Sequence, residues 1–402
     1  MTRSASLEAT SQAASGATHT PTKTSARKGL IALYMTAVFL YWIGLYLYVP
    51  TLPVYVQSKT SDLALVGVVL SMYGLWQAII RLPLGIAADW LGWRKPFIVG
   101  GFALTALGAW LMGSSADVDG LIVGRAITGL AAGTWVPLVV VFSGLFPPED
   151  AVRASALLTV VGSVGRMLAT GVTGSLNDWG GYSLAFYLAA GAAIVAMVIV
   201  LPTPETRRPP KRPSIGGIGR LITRRDVLLP SVLSAVSQYA NWATTFGFMP
   251  ILARQLGATD VIQSVLVSMN IAVLTVGNLL VTAIVRRTGS RRLVYASFIL
   301  LALGITAAAM AKTLAAVFAA QFLIGLSQGV GYPLLMGLSI ERVADEQRTT
   351  AMGLHQAVYA IGMFTGPWLS GMLANAIGIQ PMFAITAAVA LMFGFIGTRQ
   401  MR

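Results

Sequence analysis

The sequence contains no cysteine and few acidic residues. Its 402 residues include 14 Asp and Glu, 28 Lys and Arg and two His, and only 10% of them are charged. Soluble domains carry about 25% charged residues, so this chain has too little charge to cover a water-facing surface. The composition argues against a soluble enzyme and against a disordered protein. Without cysteine, disulfides, thiolate metal sites and thiol nucleophiles are excluded.

The sequence is instead rich in apolar residues, since 56% of them are hydrophobic and the mean hydropathy is +0.74. Apolar stretches recur from Leu30 to Thr398, and each approaches the roughly 20 residues that cross a bilayer as a helix. We therefore predict an all-α polytopic membrane protein with twelve spans, numbered here in chain order. The spans lie near residues 29–50, 64–86, 96–113, 120–143, 154–176, 183–202, 227–249, 261–285, 293–311, 316–340, 351–375 and 381–397.

Positive charge is unevenly distributed between the two ends of the spans. Of the 28 Lys and Arg, 22 lie on the side that holds both termini, three on the opposite side and three inside spans. By the positive-inside rule both termini are cytoplasmic, and the plasma (inner) membrane is the expected location. Residues 1–28 are interpreted as a disordered cytoplasmic tail and residues 203–226 as a basic cytoplasmic linker. The basic excess thus reflects topology, and no nucleic-acid partner is expected.

The linker divides the chain into residues 29–202 and 227–402, with six spans in each part. These parts repeat each other at an offset of 197 residues, as when Pro53 aligns with Pro250 and Gly165 with Gly362, and at 196 for Gly129 and Gly325. An even number of spans gives both repeats the same orientation. We predict two pseudo-symmetric six-helix bundles around a central cavity. One chain can close such a cavity, so a monomer is expected.

The turn after span 2 carries a recognisable motif over residues 85–95. Gly85, Asp89 and Gly92 are followed by Arg94 and Lys95, and this spacing resembles the signature of the major facilitator superfamily. The resemblance covers residues 29–398 and implies the fold of that family and a secondary transporter. It also implies that Gly85, Asp89, Gly92 and Arg94 act as a gate between conformations. A topological anchor without a switching role is the alternative.

Two further features refine the resemblance. Span 4 carries Arg125 followed by Gly129, which resembles the second motif of the family. The motifs are nearest to the drug–proton antiporter subgroup, whose members usually carry Gly-Pro in span 5. This chain has Ala169-Thr170 there, beside Arg166, and carries Gly366-Pro367 in span 11 instead. An antiport assignment is therefore not implied by the motifs alone.

Three arginines, Arg81, Arg125 and Arg166, fall inside predicted spans. An ionisable side chain within a membrane normally faces a wet path or a partner. Because all 14 acidic residues lie in tails, loops or the last turns of spans, none can pair with Arg125 or Arg166. We place these two arginines in a substrate site, with a structural role for Arg125 as the alternative. Arg81 is near a span end, where it can snorkel to the interface, with a functional role as the alternative.

Proton coupling would need a titratable group within the membrane. His355, about one turn into span 11, and Asp89 are the two candidates, and a structural hydrogen bond is the alternative for His355. Two functions therefore stay open. In the one we favour, an anionic or anion-bearing organic solute is carried by facilitated diffusion or exchange. In the other, a neutral or amphiphilic substrate is exported, as in proton-coupled multidrug efflux.

Polar and aromatic side chains on the spans predict the lining of the cavity, because polar groups on a membrane helix prefer a partner or a cavity. The first half contributes Tyr41, Trp42, Tyr46 and Trp135. The second half contributes Gln238, Tyr239, Asn241, Trp242, Asn270, Gln321, Gln328, Tyr332, Gln356 and Tyr359.

Other classes of function have little support in the sequence. A membrane enzyme would need metal ligands or acid–base pairs within the bundle, and neither those nor a cofactor is expected. The chain has no GxxxxGK[ST] loop for ATP. A channel or a non-transporting receptor is the remaining alternative to a carrier. The expected partners are the lipid bilayer and a small-molecule substrate.

Overall fold

The computed structural model describes residues 22–147, 150–205, 219 and 221–401. Regular structure in these residues is helical throughout. The α-helices of the first half are α1 (Thr22–Tyr46), α2 (Leu52–Gln57), α3 (Leu63–Leu91), α4 (Lys95–Ser114), α5 (Val118–Ala131), α6 (Trp135–Ser143) and α7 (Ala151–Val200). Those of the second half are α8 (Arg225–Ala243), α9 (Met249–Gln255), α10 (Asp260–Thr288), α11 (Ser290–Ala309), α12 (Leu314–Glu341), α13 (Asp345–Ile377) and α14 (Ile379–Gln400).

Ten helical segments of the described residues are long and apolar enough to cross a membrane. One of them, Arg153–Val200, is broken at Gly180 and Gly181, whose φ angles are −143° and +69°, and so provides spans 5 and 6. Glycine adopts the positive φ at this break without steric cost. Span 7 is formed by α8, a π-turn and α9 together. The prediction of an all-α polytopic protein with twelve spans is confirmed.

Spans 4 and 7 are irregular. A 3₁₀ turn, Ala132–Thr134, separates α5 from α6, and a π-turn, Thr244–Phe248, separates α8 from α9. The sequence predicts that span 7 ends near residue 249, whereas the helix continues to Gln255. Pro250 stands in the first turn of α9, a position that needs no backbone N–H, so the proline starts this helix instead of ending the span.

The predicted tail is shorter than residues 1–28. Because α1 begins at Thr22, residues 22–28 are helical, and Ala26, Arg27 and Lys28 in this stretch all have high helix propensity. Residues 1–21 of the predicted tail lie outside the described residues. So do residues 206–218 and 220 of the predicted linker, and the domain boundaries 29–202 and 227–402 stay predictions.

Two seams join the halves: α3 packs along α13, and the first part of α7 packs along α10. Glycine permits both approaches. A Cβ atom at Gly67 would lie 2.4 Å from the carbonyl oxygen of Pro367 and 2.9 Å from the Cα of Gly371. At Gly174 it would lie 2.3 Å from the carbonyl carbon of Asp260. Small residues allow close helix packing in membranes, where the hydrophobic effect does not drive association.

Repeated sequence positions make the same contact in both halves. A Cβ atom at Gly129 of α5 would lie 2.7 Å from the Tyr73 carbonyl oxygen on α3. At Gly325 of α12 it would lie 2.8 Å from the Asn270 carbonyl oxygen on α10. Tyr73 and Asn270 are themselves related by the 197-residue offset. The internal repeat is therefore visible in the packing of the helices.

We call the side on which α1 begins and α14 ends the termini face, and the other side the opposite face. At the opposite face, hydrogen bonds cross both seams. Asn177 Nδ2 donates to Asp260 Oδ2 at 2.8 Å, and Asp260 also forms an ion pair with Arg254. On the other seam the Leu63 amide donates to Asn375 Oδ1 at 3.2 Å. The halves are thus joined at the opposite face.

Candidate functional site

Arg81 on α3 reaches across the seam to α13. Its Nη1 donates to Gln356 Oε1 at 3.0 Å and to the Tyr359 hydroxyl, and its Cζ lies 5.2 Å from the centre of the Tyr359 ring. The residue is 6% exposed, and its Nε has no hydrogen-bond partner in the described part of the chain. The prediction that Arg81 snorkels to the interface is wrong, because α13 covers it and supplies neutral acceptors.

Arg125 on α5 is 2% exposed and lies over the ring of Tyr73, with its Cζ 4.6 Å from the ring centre. Tyr73 stacks on Trp242 of the second half, with ring centres 5.3 Å apart and planes inclined by 17°. The structure therefore places Arg125 behind an aromatic layer. It contacts the boundary between the halves through Tyr73.

Arg166 on α7 is half-buried and lies against two aromatic rings. Its Cζ is 4.8 Å from the centre of the Trp42 ring and 5.8 Å from that of Tyr46. Its Nη2 donates to Ser163 Oγ at 3.0 Å, and its Nε donates to the Gly162 carbonyl oxygen at 3.4 Å. A cation held over aromatic faces gains roughly 0.5–2 kcal/mol from the ring quadrupole. These rings fix the guanidinium without neutralising it.

The intramembrane arginines have no carboxylate partner among the described residues. The ion pairs that the structure shows there lie at helix ends and join Asp89 with Arg94, Arg224 with Asp226, and Arg254 with Asp260. The charges of Arg81, Arg125 and Arg166 are met instead by neutral oxygens and aromatic rings. Because an uncompensated charge within a membrane is costly, this arrangement suits a site that receives an anion.

An aromatic cluster lies beside the arginines and is shared by the two halves. It consists of Trp42, Tyr46, Tyr73, Trp135, Trp242 and Phe246. Trp42 is 5.3 Å from Trp135 and 5.5 Å from Tyr46, measured between ring centres. Tyr46 in turn is 6.2 Å from Phe246, and Phe246 is 4.9 Å from Trp242. The cluster therefore joins the two halves beside the arginines, and its rings are flat apolar surfaces of the kind that bind organic ligands.

The predicted polar residues of α8 differ in their hydrogen bonding. Gln328 of α12 donates to Ser237 Oγ at 2.9 Å and accepts from Gln238 at 3.5 Å, so these amides link α8 with α12. The buried Asn241 has an Oδ1 atom without a hydrogen-bond partner in the described residues. Tyr239 is half-buried. Only part of this predicted group is thus held by described hydrogen bonds.

Three other predicted residues, Asn270, Gln321 and Tyr41, form their described hydrogen bonds within their own half of the molecule. Asn270 Nδ2 donates to the Gln321 carbonyl oxygen at 2.9 Å, while Gln321 Oε1 accepts from Thr245 Oγ1 at 3.0 Å. Tyr41 is fully buried in the first half, where its hydroxyl donates to the Ala131 carbonyl oxygen at 3.1 Å. These hydrogen bonds join neighbouring helices of one half, and none of them involves an intramembrane arginine.

Tyr332 relates two of the arginines. Its ring meets that of Tyr359 edge-on, with centres 5.8 Å apart. Its hydroxyl lies close enough to Arg81 and to Arg166 for an electrostatic interaction with each. Both guanidinium groups thus act electrostatically on one hydroxyl of the second half, although they lie on different helices.

His355 is fully buried beside this region. Its Nδ1 lies 3.1 Å from Ser231 Oγ, and Ser231 Oγ donates its own proton to the Val227 carbonyl oxygen at 2.7 Å. A hydroxyl has one proton, so in the neutral ring Nδ1 carries the proton that Ser231 accepts. Nε2 is then an acceptor, and it has no partner in the described residues. The role of His355 as a proton carrier stays a prediction.

The predicted gate is intact as a local structure. Asp89 pairs with Arg94 across the turn, and Gly92 adopts φ +63° at the end of α3. A Cβ at Gly85 would have only Val136 within 4 Å, at 3.7 Å. The Asp89 side chain is 45% exposed and its described ion pair lies within the first half. Gating by these residues stays a prediction.

Glu205 is a functional candidate that the sequence reasoning missed. Its two carboxylate oxygens accept from the backbone amides of Arg94 and Lys95, each at 2.8 Å. In return Lys95 Nζ donates to the carbonyl oxygens of Leu201 and Thr203 at 2.6 and 2.5 Å. The motif turn is therefore clasped to the end of α7. No local sequence signal connects segments this far apart.

Comparisons with known proteins agree with this fold. The chain is 22% identical to Multidrug resistance protein 1 of Bacillus subtilis over 377 residues, which is 90% of this chain and 94% of that protein. It is 32% identical to the inner membrane transport protein YajR of Escherichia coli over 126 residues, or 31% of this chain and 27% of YajR.

Solved structures show the same architecture. The crystal structure of a bacterial homologue of the human lysosomal transporter Spinster, inward-facing and unoccupied, superposes with a TM-score of 0.79 at 16% identity, covering 93% of this chain and 97% of that one. The sequence profile described as Major Facilitator Superfamily matches residues 34–238 and 231–399. The chain is therefore an integral multi-pass membrane transport protein and not an enzyme, and it belongs to the major facilitator superfamily.

Proposed function

We propose that this protein carries small organic anions across the membrane by alternating access. The observation that carries the proposal is the set of three intramembrane arginines without a carboxylate partner among the described residues. A bound anion supplies the missing negative charge during transport. Between cycles the neutral contacts of Arg81 and the aromatic contacts of Arg166 hold the side chains in place.

The two seams support a rocking motion of one half against the other. Described hydrogen bonds between the halves run from Leu63–Asn375 at the opposite face to Arg81–Gln356 deeper in the bundle. Opening the opposite face requires the Leu63–Asn375 bond to break while each half keeps its own packing. Two rigid repeats around a central site are the usual basis of alternating access.

The distribution of Lys and Arg supports an orientation with both termini in the cytoplasm, in the plasma (inner) membrane. A monomer satisfies the proposal, since one chain supplies both halves of the cavity.

Efflux of amphiphilic drugs, coupled to protons, is the second candidate. The aromatic cluster favours it, because flat apolar rings bind many hydrophobic molecules. The similarity to a protein named Multidrug resistance protein 1 points the same way. Under this alternative the arginines stay structural, and substrate charge does not decide transport.

Counterflow in liposomes tests the proposal with three probes of similar shape and different charge. These are benzenesulfonate, which is always anionic, neutral benzenesulfonamide and cationic benzyltrimethylammonium. We expect internal benzenesulfonate to accelerate uptake of labelled benzenesulfonate, and the Arg166→Ala variant to weaken this exchange. Preferential exchange of the cation would support drug efflux instead. Uptake without acceleration by internal probe would indicate a channel, and no uptake of benzenesulfonate would refute anion transport.

A further inference from the structure

Arg81 differs from the other two intramembrane arginines in what surrounds it. Arg125 packs over Tyr73, and Arg166 packs over Trp42 and Tyr46. The Arg81 side chain alone crosses from one half to the other with hydrogen bonds. Its contacts are therefore the ones that must change when the halves move.

The hydrogen bonds of Arg81 leave one side of its guanidinium unused. Both described bonds, to Gln356 and to Tyr359, come from Nη1, and the buried Nε has no partner in the described part of the chain. A buried donor without a partner costs about 1–3 kcal/mol, and more when it is charged. Such an unmet donor on a cation suits an anion. Arg125 Nε is likewise without a described partner, so the position of Arg81 in the α3–α13 contact is what distinguishes it.

The chemistry of the free side defines the ligand group. The guanidinium is a planar fork, and Nε with an adjacent Nη presents two parallel N–H groups that match two oxygens of one oxyanion. A carboxylate or a sulfonate has this geometry. Gln356 and Tyr332 are half-buried, so the cluster is partly exposed at the surface of the described structure.

We propose that Arg81, held at the α3–α13 seam by Gln356 and Tyr359, binds the oxyanion group of the transported organic anion through Nε and the adjacent Nη. This inference rests on the proposed function and assigns the charge-binding role to a residue outside the predicted site. Arg81 and Arg166 both lie within electrostatic reach of Tyr332. With the oxyanion at Arg81, the aromatic body of the ligand extends toward Arg166 and the aromatic cluster.

Binding at this point couples the ligand to the motion. Arg81 belongs to the first half, whereas Gln356 and Tyr359 belong to the second. An oxyanion at the Nε side neutralises Arg81 while Nη1 still holds α13, so the ligand stabilises the state in which the seam is closed. The anion therefore binds at a contact that joins the two halves, and its release accompanies the opening of that contact.

Calorimetric titration of the purified full-length protein tests the assignment. We expect the wild type to bind benzenesulfonate more tightly than benzenesulfonamide. Arg81→Gln should weaken benzenesulfonate binding about tenfold or more, because a charged hydrogen bond is lost, and should abolish the preference for the anion. Arg81→Lys keeps the charge but loses the fork, and it should restore only part of the affinity. Arg287→Gln, at an exposed position in the last turn of α10, is the matched control and should leave binding unchanged.

Tyr359→Phe provides an independent arm, since it removes one hydroxyl and keeps the ring. We expect it to weaken benzenesulfonate binding severalfold with little change for benzenesulfonamide. If Arg81→Gln and Tyr359→Phe both keep the wild-type preference for the anion, this inference is overturned and anion transport through Arg166 remains. If the wild type itself shows neither anion preference nor benzenesulfonate counterflow, the proposed function fails first.

Discussion

Asn177 of the first half donates a hydrogen bond to Asp260 of the second half at 2.8 Å, at the opposite face of the molecule. Asp260 is 8% exposed and also pairs with Arg254 of its own half. The Asp260 carboxylate thus accepts a hydrogen bond from Asn177 across the seam and pairs with Arg254 within the second half. Breaking this point of contact is a requirement for opening the opposite face.

Asp260→Asn should shift the protein toward a state that is open at the opposite face. The variant removes the charge that holds Arg254 and weakens the bond to Asn177, and charged hydrogen bonds contribute about 1.5–3 kcal/mol. Because the chain has no cysteine, Val261→Cys introduces a single thiol beside the seam. We expect a membrane-impermeant thiol reagent to label this cysteine about tenfold faster in the Asp260→Asn background.

Asp178→Asn is the control for this experiment. It removes the same charge from the same face, where Asp178 is exposed. Equal labelling rates in the Asp260→Asn, Asp178→Asn and unmodified backgrounds would show that the Asn177–Asp260 contact does not hold the face closed.

Gly74→Ala should oppose the closed seam between α3 and α13. An added Cβ would lie 2.4 Å from the Phe364 amide nitrogen and 2.5 Å from the Met363 carbonyl carbon, and backbone atoms cannot rotate away. Overpacking of this kind costs about 1–3 kcal/mol. We expect faster labelling of the Val261→Cys reporter than in the Gly100→Ala control, whose added Cβ meets nothing within 4 Å. Unchanged labelling would mean that the seam accommodates the added Cβ at Gly74 without opening the opposite face, which would contradict this prediction.

Glu205→Ala should destabilise the protein more than Asp89→Asn. Glu205 accepts two backbone amides and links segments 110 and 111 residues apart, so its loss is expected to cost about 1.5–3 kcal/mol. The Asp89–Arg94 pair spans one turn and its carboxylate is 45% exposed, and such pairs contribute about 0–1 kcal/mol. Thermal unfolding in detergent measures the order. If the unfolding midpoint of Asp89→Asn lies below that of Glu205→Ala, the Asp89–Arg94 pair stabilises the protein more than the Glu205 hydrogen bonds do, and the prediction is wrong.

The fold could be predicted from the sequence because the apolar stretches are long and the two halves repeat the same pattern. Apolar stretches of bilayer length predict the spans, and the near-constant offset predicts two similar halves. The structure adds that the repeated glycines make equivalent contacts, Gly129 with Tyr73 and Gly325 with Asn270. Local irregularities were not predictable in this way. A π-turn before Pro250 and a loop-free break at Gly180–Gly181 depend on tertiary packing, which overrides local propensity.

The candidate site could be predicted from the sequence only in part. Arg166 and Trp42 were both selected as cavity residues, and the structure brings them together. Arg81 was assigned to the interface by its distance from a span end, which ignores what the neighbouring helix can cover. Its aligned position in the second half, Asn278, is also polar, and this shared polarity was the signal that could have moved Arg81 into the site. Asp260 appeared to be a loop acid, and only the seam makes it a contact.

The three intramembrane arginines all come from the first repeat, although the two repeats share one ancestral pattern. At the equivalent positions the second repeat carries Asn278, Gln321 and Met363, which are uncharged. The two repeats therefore differ in charge: the first carries three intramembrane cations, and the second carries neutral side chains at the equivalent positions. Under the proposed function a bound anion pairs with the first repeat, so the two repeats do not make equivalent contributions to the site.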